Sequence, residues 1–573
     1  MNKLTRFGLS VLTLVLVPAL GSAADRVGDF ALLDHQGNFH HMSWYDDHSA
    51  IALLVQANGS ETTAEAAVQF STMKSRYEEQ GIEFFMINAT GETDRASVNA
   101  ELARYGVDIP VLMDETQIIS RNLGIERAGE VLVYHPGSFT VEFRGPAGAE
   151  FEQALTAILA GEPVATPLLA SRGAEIDYSS LAQHADLSYE KDIAPIIAEN
   201  CASCHREGGI APFAMDSHAM VQGWSPMIRE VLMTKRMPPG QIDPHVGEFI
   251  NDMTLDVAET QKVIEWIDAG SVKDGTTDPL AELTWPDSKW AFGEPDYIIE
   301  VPEQSIPATG VLDYRNVVVP IDIEKDRWVR GSQYVAGDRT VLHHTLNQLI
   351  PPDAERNSRG GFVGGGDPDA ANITAYIPGA QPRLEPPNTG GLLKAGSQIA
   401  LQLHYTTNGR ETVDNSEIGL WFYPEGEVPE ERMSGQCACI FTPDWTNIEP
   451  YDPAFEMSQT VTLSRDIHMH SFTPHMHFRG KSMRFFADYP DGNREELINI
   501  AKYNYNWQLA YTYAEPKFMP AGTVITAEGV FDNSTQNPAN PDPARSVPWG
   551  QQSWDEMFFG AMNWKYTQQG GSE

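Results

Sequence analysis

Residues 189–213 read YEKDIAPIIAENCASCHREGGIAPF, and this stretch divides the chain. Cys201, Cys204 and His205 spell C-x-x-C-H, the attachment signature of c-type haem, in which two thiolates form thioethers with the vinyl groups and the histidine supplies an axial nitrogen. A disulfide or a zinc site leaves the histidine unexplained, and a zinc site would need a second ligand pair. An amphipathic helix precedes the motif, and a second, LDVAETQKVIEWIDA at 255–269, closes a compact unit spanning 191–272. The other axial ligand is expected from a downstream loop. RMPPG at 236–240 offers Met237 beside a stiff Pro-Pro pair, with His245 and Met215, Met220, Met227 and Met233 as competitors. A thioether ligand raises the haem potential, which suits electron transfer.

Upstream, apolar runs alternate with amphipathic stretches: IALLV at 51, EFFMINA at 83, IPVLM at 109 and EVLVYH at 130. That alternation predicts an α/β layer fold over 25–165. The order of elements and the opening GDFALLDHQGNFHHMSWY (28–45) resemble the thioredoxin-like redoxins. Redoxin chemistry needs a thiolate, and this segment has no cysteine; Ser60, in LLVQANGSETTAEAA, stands where the resemblance places the reactive residue. The unit is therefore expected to be redox-inert and to serve docking or structure, with His40 and His41 as surface residues. Residues 166–190 read as a connector.

Downstream of a linker at 273–294, about 280 residues of short apolar runs broken by Pro and Gly predict two β-sandwiches, 295–455 and 456–573. Of 16 histidines in the chain, His343, His344, His404, His468, His470, His475 and His477 crowd into this region, which calls for a metal explanation. His475 and His477 stand two apart, so in a strand they share a face. The adjacent His343 and His344 would point to opposite faces of a regular strand, and can meet one ion only where the backbone ends or twists.

The segments VLHHTLNQ, LQLHYTTNG, HMHSFTPHMHFRGKSM and WDEMFFGAM, in this order, resemble the copper type II, ascorbate-dependent monooxygenases, the family of peptidylglycine α-hydroxylating and dopamine β-monooxygenases. The resemblance covers roughly 295–573. It implies two copper ions: His343, His344 and His404 on an electron-transferring copper, and His475, His477 and Met557 on the copper that binds O2. A soft thioether favours Cu(I), the state that meets O2. Asp555 and Glu556 complete the family's DEM. His468 and His470 match no ligand position and read as packing or supporting residues. The places at which the peptide-amidating branch binds a substrate carboxylate are here Thr473, Phe559 and Ala561, so a neutral or apolar substrate is expected. Cys437 and Cys439 are open between a small disulfide, free thiols and Cu(I) binding.

The fold class expected is thus multidomain: thioredoxin-like α/β, an all-α c-type cytochrome, then two all-β, jelly-roll-like sandwiches. Residues 1–24 carry Lys3 and Arg6, the apolar run GLSVLTLVLVPAL and the small residues GSAA, which read as a signal peptide and place the protein in the periplasm or outside the cell. With 39 Lys and Arg against 79 Asp and Glu, the net charge of −40 argues against nucleic-acid binding. No segment competes for a membrane span. The reading that results is an exported copper- and haem-dependent monooxygenase acting on a C–H bond of a small organic substrate with O2. Electrons would come through one covalent haem c, from ascorbate or a periplasmic donor. The alternative is a copper and haem protein that transfers electrons or binds copper without activating O2.

Overall fold

The computed structural model describes residues 26–567 apart from 185, 287, 357–361, 364–368, 380 and 381. The signal-peptide reading lies outside these. No helix among the described residues is long and apolar enough to cross a membrane.

The first unit is built on a five-stranded sheet in the spatial order Val111–Met113, Ile82–Asn88, Ala50–Gln56, Glu130–His135, Thr140–Pro146. The first three strands are parallel and the last two run antiparallel to their neighbours. Ala50–Gln56 is buried along its whole length, as a strand covered on both faces must be, which is why its sequence is continuously apolar rather than alternating. This is the thioredoxin-like α/β arrangement expected of 25–165. Ser60 caps the Glu61–Tyr77 helix that follows, its Oγ accepting the Thr63 N–H at 3.1 Å.

Two expectations about this unit are corrected. His40 and His41 are not surface residues: each is half-buried, His40 beside Asp34 (3.0 Å) and His41 beside Asp29 (2.7 Å). Nor is 166–190 a free connector. Pro167 and Leu169 exchange backbone hydrogen bonds with Arg144, and Leu181 is buried in the unit's core, because an apolar face of the sheet remained to be covered.

From Tyr189 to Asp268 the chain forms helices and loops. Ala194–Asn200 starts with Pro195 in its first turn, and Val257–Asp268 starts with an Asp256/Glu259 capping box. These pack with His218–Met233 around Tyr189, Ile197, Val221, Val263 and Trp266.

Two pairs of antiparallel sheets follow. In the first sandwich the sheet that bears on the site runs Arg315–Pro320, Gln398–Tyr405, Leu342–Ile350. In the second, one sheet runs Ser434–Ile440, Phe558–Tyr566, Ile467–His475, Tyr511–Met519, facing Phe455–Thr462, Val524–Phe531, Gly480–Asp488, Arg494–Ile500. Ser434–Ile440 pairs with Phe558–Tyr566, so the sandwiches divide before Ser434 and not at 455. Cys437 and Cys439 both lie in that strand and form a disulfide.

The units share cores. Ile242 and Phe249 of the helical segment are buried in the core of the second sandwich, where each contributes about 1.5–3 kcal/mol. Met233 and Ile264 enter the core of the first unit. Where the three meet, the fully buried Asp243 receives both terminal nitrogens of Arg95 (2.6 and 2.9 Å) and the Asn499 amide (3.2 Å), which also donates to the Gly37 carbonyl.

Candidate metal centre

His343 and His344 stand at the start of the Leu342–Ile350 strand, paired with the strand that carries His404. The register shifts between Leu342 and His344, a bulge at His343 that re-aims one of the two adjacent side chains. That irregularity is the backbone twist the sequence required. The three histidines are buried, and ligand nitrogens from all three lie within 4.8 Å of one another. The Nδ1 atoms of His343 and His344 stand 2.9 Å apart.

His475 ends the Ile467–His475 strand opposite Phe559 on the antiparallel Phe558–Tyr566 strand. Continuing that alignment past the strand ends sets Met557, 5% exposed, at the register position of His477. Glu556 holds the two segments together there, accepting the backbone N–H of His477 (2.8 Å) and of Arg479 (2.7 Å). Burial pushes the Glu556 carboxyl up to about 8, against the pull of those amides and of Arg479.

The two histidine sets are neighbours: the His344 and His475 rings are 6.3 Å apart, and His475 and His477 5.2 Å. All five imidazoles are held neutral. Burial lowers His404 to about 3 and His475 to about 4, and puts His344 and His477 well below the usual value, with repulsion from the other imidazoles adding to it. A neutral imidazole is the ligand form for a metal.

Side chains outside the expected set fix the tautomers. Gln508 donates from Nε2 to the Tyr505 carbonyl (3.1 Å), which turns its Oε1 to accept the His475 Nδ1–H (2.6 Å). The His475 Nε2 is then a lone-pair atom, buried and without a hydrogen-bond partner. Asn506 Oδ1 likewise accepts from His343 Nε2 (3.1 Å), leaving Nδ1 toward His344. The Asp555 carbonyl accepts from His477 Nδ1 (3.3 Å). Tyr505 stacks on His343 (4.7 Å), places its hydroxyl 3.2 Å from His404 Nδ1 and lies edge-on to His477. Reading the sequence for ligands passed over Tyr505, Asn506 and Gln508, although the alternation of aromatic and amide residues in YNYNWQ (503–508) was visible. An orphaned lone pair among neutral imidazoles is a donor set that fits copper.

His468 and His470 lie farther back along their strand, His468 against Phe518 and His470 buried. Thr473 pairs with Ala561, while Phe559 stacks on His475 (5.6 Å) and meets the half-exposed Phe441 (5.0 Å). An aromatic wall thus adjoins His475.

In the helical segment Cys201 and Cys204 are free thiols, with burial pushing the former up to about 12. His205 Nδ1 donates to the Phe213 carbonyl (3.1 Å), which leaves Nε2 as the ligand atom, and Phe213 stacks on Trp224 (4.3 Å). These features fit a covalently held haem. Met237 is half-buried, its N–H bound to the Val231 carbonyl (3.3 Å). Of its competitors, His245 is engaged by Glu115 (2.7 Å).

No family model matches the chain, and no curated protein matches it. Solved structures similar to part of it include a hypothetical protein from Sinorhizobium meliloti at 22% identity and TM-score 0.24, covering 27% of this chain and 93% of that one. A peroxidoxin from Mycobacterium tuberculosis is 20% identical with TM-score 0.21, covering 24% and 96%. A thioredoxin-family thiol:disulfide interchange protein from Chlorobium tepidum is 14% identical with TM-score 0.22, covering 24% and 98%.

Proposed function

We propose that the protein is an exported, copper- and haem-dependent monooxygenase that hydroxylates a C–H bond of a small neutral or apolar substrate with O2. The observation that carries this reading is the convergence of five neutral imidazoles from two sandwiches, four of them buried, with the Nε2 atom of the half-buried His475 itself buried and unpartnered beside the register position of Met557.

Copper, when bound, supplies one-electron reduction and a position for O2. His343, His344 and His404 would hold one ion, and His475, His477 and Met557 the other. The chain's own part is preorganisation. Gln508 and the Asp555 carbonyl keep Nδ1–H on His475 and His477, so both present Nε2 without a proton to lose. Glu556 anchors the backbone at His477 and Arg479. Phe559 and Phe441 offer an apolar surface next to His475, and a substrate carboxylate laid on those rings would lose its hydration uncompensated. The helical segment, as a c-type cytochrome with Cys201 and Cys204 as attachment points and His205 and Met237 as axial ligands, would take electrons from ascorbate or a periplasmic donor. The thioredoxin-like unit has no cysteine and serves as a scaffold.

The test is O2 uptake by the reduced, copper-loaded protein with and without candidate substrates. Uptake that rises with a substrate, together with a product heavier by one oxygen, supports the reading. Full metal content with no substrate-dependent uptake would favour the electron-transfer alternative.

A further inference from the structure

Between the Arg494–Ile500 and Tyr511–Met519 strands the chain runs through KYNYNWQLA, 502–510. Its middle reaches both histidine sets: Tyr505 and Asn506 touch His404 and His343 of the first sandwich, and Gln508 touches His475 of the second. Its ends reach the loop that carries Met237. The Lys502 ammonium donates to the Thr234 and Lys235 carbonyls (3.4 and 3.3 Å), and the Tyr511 hydroxyl donates to the Gly240 carbonyl (2.9 Å). Gly240 has φ +65°, and a Cβ there would lie 2.5 Å from Leu509 Cδ1, so the loop rests directly on the segment. Tyr503 stiffens it, its hydroxyl accepting the Met476 N–H (2.9 Å) and donating to the Met476 carbonyl (2.7 Å) between the two ligand histidines.

We propose that the Lys502–Tyr511 segment is the internal coupler of the protein: it positions ligand histidines of both sandwiches and clasps the Met237 loop, so that an electron held by the helical segment reaches copper through this contact. The inference rests on the proposed function, since it takes haem and copper as the occupants. One electron leaves ferrous haem, which becomes ferric, and reduces one Cu(II) to Cu(I); no bond is made or broken and no proton need move. Contiguous packed contacts joining two sites are the physical basis for such coupling, and from the Met237 loop through this segment to His343, His404 and His475 the links are named contacts. Lys502 and Tyr511 are positioning residues, acting through the Met237 loop and touching no copper ligand.

The experiment uses the full-length holoprotein, loaded with Cu(II) and free of O2. A light flash on an added photosensitiser with a sacrificial electron donor delivers one electron to the ferric haem, its reoxidation is followed by absorbance, and Cu(II) is followed by paramagnetic resonance. Lys502→Met and Tyr511→Phe are each expected to keep the parent's haem content, copper content and Cu(II) spectrum. Each should slow haem reoxidation by about tenfold, within the range that contact networks carry. Lys502→Arg, which restores the cation, should recover most of the rate. Tyr505→Phe should instead alter the Cu(II) spectrum and leave the haem spectrum alone. Parent rates in both Lys502→Met and Tyr511→Phe, at full metal content, would overturn the proposal. If the unaltered protein takes up no haem or no copper, the functional reading fails instead, and the two failures are told apart by metal analysis alone.

Discussion

Acid should destabilise the metal-free protein through its candidate ligand histidines. Burial lowers His404 from 6.5 to about 3 and His475 from 6.5 to about 4, so below about 6.5 the unfolded chain binds protons at these imidazoles that the folded chain refuses. The stability associated with the neutral folded forms is therefore complete above that pH and is lost as pH falls toward the folded values. At pH 5, about 1.5 units below the unfolded value, each imidazole costs about 2 kcal/mol, about 4 kcal/mol for the pair. The assay is urea unfolding of the copper-free protein at pH 7.5 and pH 5.0, followed by tryptophan fluorescence, beside a His404→Phe/His475→Phe variant that cannot take up these protons. Several units contribute to the transition, so the quantity to compare is the pH-dependent loss in the parent minus that in the variant. A difference of about 4 kcal/mol is expected. Equal losses in both proteins would refute the assignment of buried, neutral imidazoles.

Arg95→Met strands the fully buried Asp243 carboxylate where three units meet, and should cost about 3–5 kcal/mol in thermal unfolding, with part recovered by adding Asp243→Asn. Met557→Ala should leave copper bound by His475 and His477 yet abolish hydroxylation, in single turnover and in steady state, whereas His343→Ala should stop steady turnover while the haem stays reducible. Should Met557→Ala retain near-normal hydroxylation, Met562 is the next methionine to test. A peptide ending in glycine should not be amidated, given Thr473, Phe559 and Ala561; product detected by mass would refute that. The thioredoxin-like unit, with Ser60 at the helix cap, should show no thiol peroxidase or disulfide reductase turnover.

Much of this was legible because the chemistry leaves local marks. A doubly covered strand reads as an unbroken apolar run, as in the IALLV segment of 50–56, whereas the helix caps at Ser60 and Asp256 went unread. The candidate ligand histidines stood out by crowding, and for His343 and His344 to meet one ion the backbone had to end or twist, as the bulge there does. What was not legible depends on long-range contacts. His40 and His41 are a local exception: the hairpin pairing Ala31–Leu33 with Phe39–His41 brings them to Asp34 and Asp29, only 6 and 12 residues upstream. The changeover between sandwiches was misplaced because Ser434–Ile440 takes as partner a strand more than a hundred residues later. Tyr505, Asn506 and Gln508 act on histidines 33 to 163 residues away, a relation no spacing rule reports.

The most direct measurement supplies oxygen-18 gas to the reduced, copper-loaded protein in an extract of the native cell and searches the small molecules by mass. One product carrying a single heavy oxygen, formed by the parent and absent with Met557→Ala, is expected. Full copper and haem content with no labelled product, or labelling indifferent to Met557, would contradict the assignment of a copper monooxygenase.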